Sequence, residues 1–318
     1  MKQLPLIKLI ALFSLTTLSV GCGTSSVEQT PENNISETVT EQLDITVSIL
    51  PQKYFVERIG GDTVAVNVMV QPGASPATYE PKPQQMKALS DAEAYMRIRV
   101  PFEKAWMDRI ASANSEMKIV DLTQGIERQP IAQHHHHGED HHNHEAEAKA
   151  INLDPHIWLS PELVKQQAQT IYNTLVELNP DSANTYQENL EALISDIETL
   201  DQNIETTLAD LDQRTFMVFH PSWGYFAREY DLEMIPIEVE GTEPSAAELS
   251  QFVKQAKEEE ISVIFVQPQF GVQSARAIAQ SVNAEVLEID PLAENWLENM
   301  QSVANVFETA LNQTPDEQ

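Results

Sequence analysis

Eight short apolar runs alternate with amphipathic stretches along this chain, and that alternation restricts the fold more than any other feature. "DITVSILPQ", "TVAVNVMVQPG", "AYMRIRV" and "MKIVDL" come first, and "TFMVFHP", "EMIPIEVEG", "ISVIFVQPQ" and "EVLEIDP" follow after a long helical section. The segments between them, such as "KYFVERIGG", "FEKAWMDRIASAN", "PSAAELSQFVKQAKEEE" and "GVQSARAIAQSVN", carry helical spacing and helix-stop residues. Strands that alternate with helices predict an α/β fold with parallel-type sheets. At 318 residues the chain exceeds one comfortable core, so two lobes are expected.

The helical section between the two groups of strands supplies the connection. "SPELVKQQAQTIYNTLVELNP" opens with Ser160 as N-cap and Pro161 at the first helical position, and stops at Asn179-Pro180. Leu190, Leu193, Ile197, Leu200, Ile204, Leu208 and Leu211 then recur at spacings of three and four. This seam reads as a long linking helix over 182–211, roughly 45 Å at 1.5 Å per residue, or as a coiled coil. The expected organisation is an N-terminal lobe over 44–181, the linking helix over 182–211, and a C-terminal lobe over 212–314.

The first residues speak to location. Lys2 and Lys8 precede an apolar run from Leu9 to Val20 that is too short for a mature membrane span. Residues 1–22 read as an export signal. Cys22, the only cysteine, follows "LSVG", where a bacterial lipoprotein is cleaved and acylated, although Ser19 replaces the usual leucine. The other reading is a soluble secreted protein that loses the cysteine with its leader. Residues 23–43 hold few large apolar groups and read as a tether. The net charge of -30 makes nucleic acid an improbable partner, and suits either cation attraction or a well-solvated surface.

Seven of the nine histidines, His134, His135, His136, His137, His141, His142 and His144, crowd into "HHHHGEDHHNH". Histidines in a flexible acidic loop bind zinc weakly, because each ion must order the chain around it. The two others, His156 in "NLDPHIWLSPE" and His220 in "MVFHPSWGYF", each sit where an apolar segment ends beside a proline, as does Asp290 in "VLEIDPLAENW". His220 and Asp290 fall at the carboxyl ends of predicted strands, where open parallel sheets bind ligands. Imidazole and carboxylate are donors for zinc or manganese, yet the same residues also suit a hydrogen-bonded loop and a turn cap. Spacing alone leaves both readings open. No "HExxH" motif, activated nucleophile or obvious general base is present, so an enzyme is not expected.

From about residue 44 to 312 the sequence resembles the zinc/manganese substrate-binding proteins of bacterial ABC transporters, the ZnuA-like branch of the metal-binding cluster. The matching segments, in family order, are "VSILPQKYFVERIGGD", "VQPGASPATYEPKPQQM", "VPFEKAW", "DPHIWLSP", "FHPSWGYFAREY", "VEGTEPSAAEL", "IFVQPQF" and "IDPLAENW". The resemblance implies two α/β lobes joined by a rigid spine helix, with one zinc or manganese ion in the cleft between them. It also implies delivery to an ABC permease and its ATPase, a monomeric, lipid-anchored or periplasmic carrier, and a His-rich loop at 133–146. Surface adhesion is a second role that the family allows.

The family's ligands carry over onto His156, His220 and Asp290, but a fourth does not. Where the family reads "PHxYEP" this chain reads "PATYEP", so Ala77 stands in place of an imidazole. Three outcomes follow: a water or a histidine of the run completes the site, Glu80 swings in and favours a harder ion, or the cleft takes a different ligand. Arg99 in "RIRVPFE" bears on the third, as a cleft guanidinium or as a salt-bridged surface residue. Asp154, with Glu240 or Glu243, is the expected outer support of the imidazoles. The histidine run is expected to collect ions, to sense them, to supply the absent ligand, or simply to solubilise.

Overall fold

In the computed structural model, which describes residues 42–132, 153–239 and 241–312, each of the eight apolar runs forms a strand. β1 (Leu43–Val47), β2 (Val64–Val68), β3 (Ala94–Arg97) and β4 (Lys118–Asp121) make one sheet in the order β2-β1-β3-β4. β5 (Thr215–Val218), β6 (Glu233–Pro236), β7 (Val263–Val266) and β8 (Glu285–Glu288) make a second in the order β6-β5-β7-β8. Every pairing is parallel. Central strands buried on both faces explain continuous apolar runs such as Val263-Ile264-Phe265-Val266, all buried. In each sheet the strand order reverses beside a central strand, between β1 and β3 and between β5 and β7, which opens a crevice at the carboxyl ends.

Nine α-helices occur among the described residues. The first lobe carries α1 (Leu50–Gly60), α2 (Pro83–Ala88) and α3 (Pro101–Ala113), followed by α4 (Pro161–Leu178). The Ser160 hydroxyl accepts from Leu163 N and caps α4, with Pro161 behind it. The spine is α5 (Ala183–Thr207), and α6 (Gly224–Glu229), α7 (Ala246–Glu258), α8 (Gln273–Val282) and α9 (Trp296–Leu311) belong to the second half. With 25 residues α5 spans about 37 Å, shorter than the expected 182–211, because the backbone leaves helical geometry at Leu208. Leu190, Leu193, Ile197, Leu200 and Ile204 are buried, and the helix packs on α1, α4 and α9. The seam is thus satisfied within the chain rather than by a coiled-coil partner.

The two sheets share one apolar core, and aromatic side chains fasten it beneath the cleft. Trp158 Nε1 donates to the Pro291 carbonyl at 2.7 Å, and Trp296 Nε1 donates to the Trp158 carbonyl at the same distance. Phe55 from α1 meets the Trp296 ring edge-on at 5.3 Å. Two buried tryptophan hydrogen bonds crossing between lobes make the cleft floor stiff, since close-packed interiors deform little. Cys22, the segment before Gln42, the run from His134 to His144, and Glu240 lie outside the described residues.

Candidate metal centre

His220 stands two residues beyond β5, at the switch point of the second sheet. Its backbone is clamped by Gln267, a wholly buried side chain one residue beyond β7: His220 N donates to Gln267 Oε1 at 3.2 Å, and Gln267 Nε2 donates to the His220 carbonyl at 2.7 Å. Phe270 stacks on the imidazole with centroids 4.6 Å apart. Glu238, buried at the end of β6, lies 2.9 Å from His220 Nδ1, at pairing distance although the ring N–H is not aimed along that line.

His156 arrives from the other half of the chain. It precedes a 3-10 turn at Ile157–Leu159 that starts the approach to α4. Asp154, 3% exposed, turns back on it: Oδ1 accepts from His156 N at 2.9 Å and lies 2.7 Å from Nδ1. A carboxylate offers only acceptors, so this contact places the proton on Nδ1 and leaves the Nε2 lone pair free. The Glu238 carboxylate beside His220 Nδ1 favours the same tautomer through its charge, without the aligned hydrogen bond that fixes His156.

The two free nitrogens converge. His220 Nε2 and His156 Nε2 are 3.3 Å apart, with the rings edge-on at 74°. Lone pairs pointed at a common point repel unless a cation lies between them. Zinc–nitrogen bonds of about 2.0–2.1 Å at tetrahedral angles set two ligand nitrogens about 3.3–3.4 Å apart. The observed spacing matches the length expected for one edge of a zinc tetrahedron. Burial lowers the His220 pKa below the ordinary histidine value of 6.5, with the nearby His156 acting in the same direction and Glu238 opposing. The imidazole is held neutral, as a ligand must be.

The cavity around the pair has a volume of about 80 Å³. Pockets for organic ligands run to about 300–1,000 Å³, so this space suits an ion with a water or two and not a metal complex. Ala77, where the resemblance implies an imidazole, forms part of its wall and presents a methyl group there. Asp290 is one cavity away. It lines an adjoining space of about 240 Å³ that shares Gln269 and Leu292 with the first. Its Oδ1 accepts from Gln269 Nε2 at 2.8 Å and from Leu292 N at 2.9 Å. Among the described residues, no three His, Cys, Asp or Glu side chains gather closely enough to hold an ion. The structure thus brings His156 and His220 together and holds Asp290 beside them on a glutamine.

Other expected participants sit elsewhere. Glu80 is exposed and outside the cavity wall. Arg99 points away from the imidazoles and pairs with Asp121 through Nε at 2.7 Å, so it brings no positive charge into the cleft. Glu243 contacts Ser274, and the support of His220 falls to Glu238 instead. Glu238 is one of three glutamates between residues 238 and 243, and nothing in "IPIEVEGTE" singles it out. Gln267 and Gln269 carry no sequence signal of their own.

Two outcomes follow from this support. Asp154→Ala should weaken zinc binding about 10- to 100-fold, as loss of an outer hydrogen bond to a ligating imidazole commonly does, with near-native circular dichroism. The sign of the pH effect follows from His220. Its folded pKa is depressed, so its contribution to stability is present above the unfolded value of 6.5 and is lost as pH falls below it. Urea midpoints of metal-free protein should decline below pH 6.5, and His220→Gln should flatten that decline.

The family model described as "Zinc-uptake complex component A periplasmic" matches residues 45–310. A putative metal-binding protein of Chlamydia trachomatis is 29% identical over 85% of this chain and 92% of its own length. The high-affinity zinc uptake system protein ZnuA of Bacillus subtilis is 27% identical, over 86% of this chain and 85% of its own. A crystal structure of ZnuA superposes with a TM-score of 0.78 at 46% identity, covering 86% of this chain and all of that one.

Proposed function

Because the chain belongs to the zinc-uptake complex component A family, we propose that it is the extracytoplasmic substrate-binding component of an ABC importer, and that it captures zinc between His156 and His220. The family describes an uptake component rather than an enzyme. One observation carries the choice of site: two imidazole Nε2 atoms, each freed by a carboxylate on its Nδ1 side, converge at 3.3 Å. Two imidazoles favour zinc over manganese, which prefers oxygen donors. Asp290 supplies a carboxylate oxygen as the third ligand, and water takes the place that Ala77 leaves. Binding needs no chemistry, only exchange of hydration waters for protein donors.

The cycle then has three parts. Zinc enters between the two imidazoles, the stiff tryptophan-bonded floor limits how far the lobes move, and the loaded carrier docks on a permease with its ATPase. A lipid at Cys22 keeps it near the membrane, and the histidine run at 134–144 collects ions for the cleft. Manganese is the second candidate cargo. The test is growth of a strain lacking this chain under zinc limitation. Restoration by the intact chain, but not by His156→Ala/His220→Ala, supports transport. Growth unaffected by the deletion, with no other zinc importer present, would overturn it.

A further inference from the structure

Gln269 and Leu292 line both adjoining cavities, and of the two only Gln269 carries a polar side chain. Its amide is fully oriented. Nε2 is committed to Asp290 Oδ1 at 2.8 Å, which leaves Oε1 buried and without a hydrogen-bond partner. Asp290 is equally constrained. Oδ1 already accepts from both Gln269 and Leu292 N, while Asn299 Nδ2 fixes its backbone carbonyl at 2.8 Å.

These facts bear on selectivity. A carboxylate with one oxygen already holding two N–H donors has only Oδ2 to offer a metal. Zinc is content with four ligands, one oxygen among them, whereas manganese prefers six-coordinate, oxygen-rich surroundings to which a bidentate carboxylate contributes. An orphaned buried acceptor is costly unless the occupied state satisfies it. A metal-bound water is a hydrogen-bond donor, and Ala77 leaves room for such a water in the same small cavity.

We propose that Gln269 sets the ion selectivity of the cleft: its amide nitrogen confines Asp290 to one-oxygen ligation, and its amide oxygen accepts from the water that fills the position vacated by Ala77. This rests on the reading of His156, His220 and Asp290 as the zinc site. Gln269 is a positioning residue, since it acts through Asp290 and the water rather than on the ion.

Chelator competition with Zn(II) and Mn(II) on the full chain tests this, with the chelator strength chosen to report only the tightest site. The variants are Gln269→Met, which keeps the shape and removes both polar atoms, Ala77→His, the double variant, and Asp290→Ala. Gln269→Met is expected to weaken zinc about tenfold, as loss of outer support does, and to leave manganese unchanged or tighter. In the Ala77→His background, where an imidazole displaces the water, most of the zinc loss should disappear. Equal losses for both ions in both backgrounds, or no loss in either, would overturn the proposal and leave Gln269 a structural residue. Asp290→Ala separates this from failure of the site itself: unchanged zinc affinity there would refute the ligand assignment on which the proposal rests.

Discussion

The His220→Ala chain is expected to bind zinc about 100- to 1,000-fold more weakly than the parent, with its secondary structure intact. Structural zinc sites contribute about 10–16 kcal/mol in all, so one of four ligands accounts for about 2.5–4 kcal/mol, and each 1.4 kcal/mol is tenfold in affinity. The substitution also strips Glu238, a buried carboxylate, of its neighbour, which adds a folding penalty. His156→Ala should lose a similar factor, because the pair is a single structural unit with nitrogens 3.3 Å apart. If either variant kept parental zinc affinity, the convergence of the two rings would have another explanation. Isothermal titration in a competing chelator reads the change directly.

The second large effect is on the fold. Glu103 is wholly buried at the start of α3, and it gathers donors from the strand end beside it. Ser48 Oγ donates to Oε1 at 2.6 Å, Ile98 N to Oε1 at 2.9 Å, Arg99 N to Oε2 at 2.9 Å, and Arg97 Nε to Oε2 at 3.2 Å. Burial pushes its pKa up, and these donors pull against it. They also hold Arg99 at φ 62°, a left-handed conformation that non-glycine residues seldom adopt. Glu103→Ala would leave two backbone N–H groups and a guanidinium without their acceptor. Urea unfolding should show a loss of about 3–5 kcal/mol, the range seen when one partner of a buried ion pair is removed. The next residues, Val100 and Pro101, line the imidazole cavity, so zinc binding should weaken as well. A loss within measurement error would show that water replaces the carboxylate without cost.

Most of the fold was legible because central parallel strands such as β7 are buried on both faces and so apolar throughout, while the partly exposed edge strands β2, β4, β6 and β8 keep enough apolar residues to stand out as runs. The amphipathic stripe of α5 was legible for the same reason, although its end was not: Leu208 and Leu211 continue the spacing after the helix has stopped. The segment after "IDPLAENW", expected only as part of the C-terminal lobe, forms the helix α9, whose Phe307 ring packs 4.4 Å from Phe265 in the core of the second sheet. The site was half legible. His156 and His220 stood out as the only histidines outside the run, and Ala77 as a break in a motif. That their nitrogens meet depends on rotamers fixed by Asp154, Glu238, Gln267 and Phe270, which come from separate elements. Glutamines in particular give no warning in a sequence, because the same side chain serves as readily on a surface as in the clamp around His220.

We place the tight zinc site in the cleft and not in the histidine run. Calorimetric titration of Zn(II) into metal-free chain lacking residues 133–146, beside the intact chain, tests it most directly. One tight site per molecule should survive the deletion, with only weaker binding lost. Disappearance of all tight binding would contradict it and assign the ion to the histidines of the run.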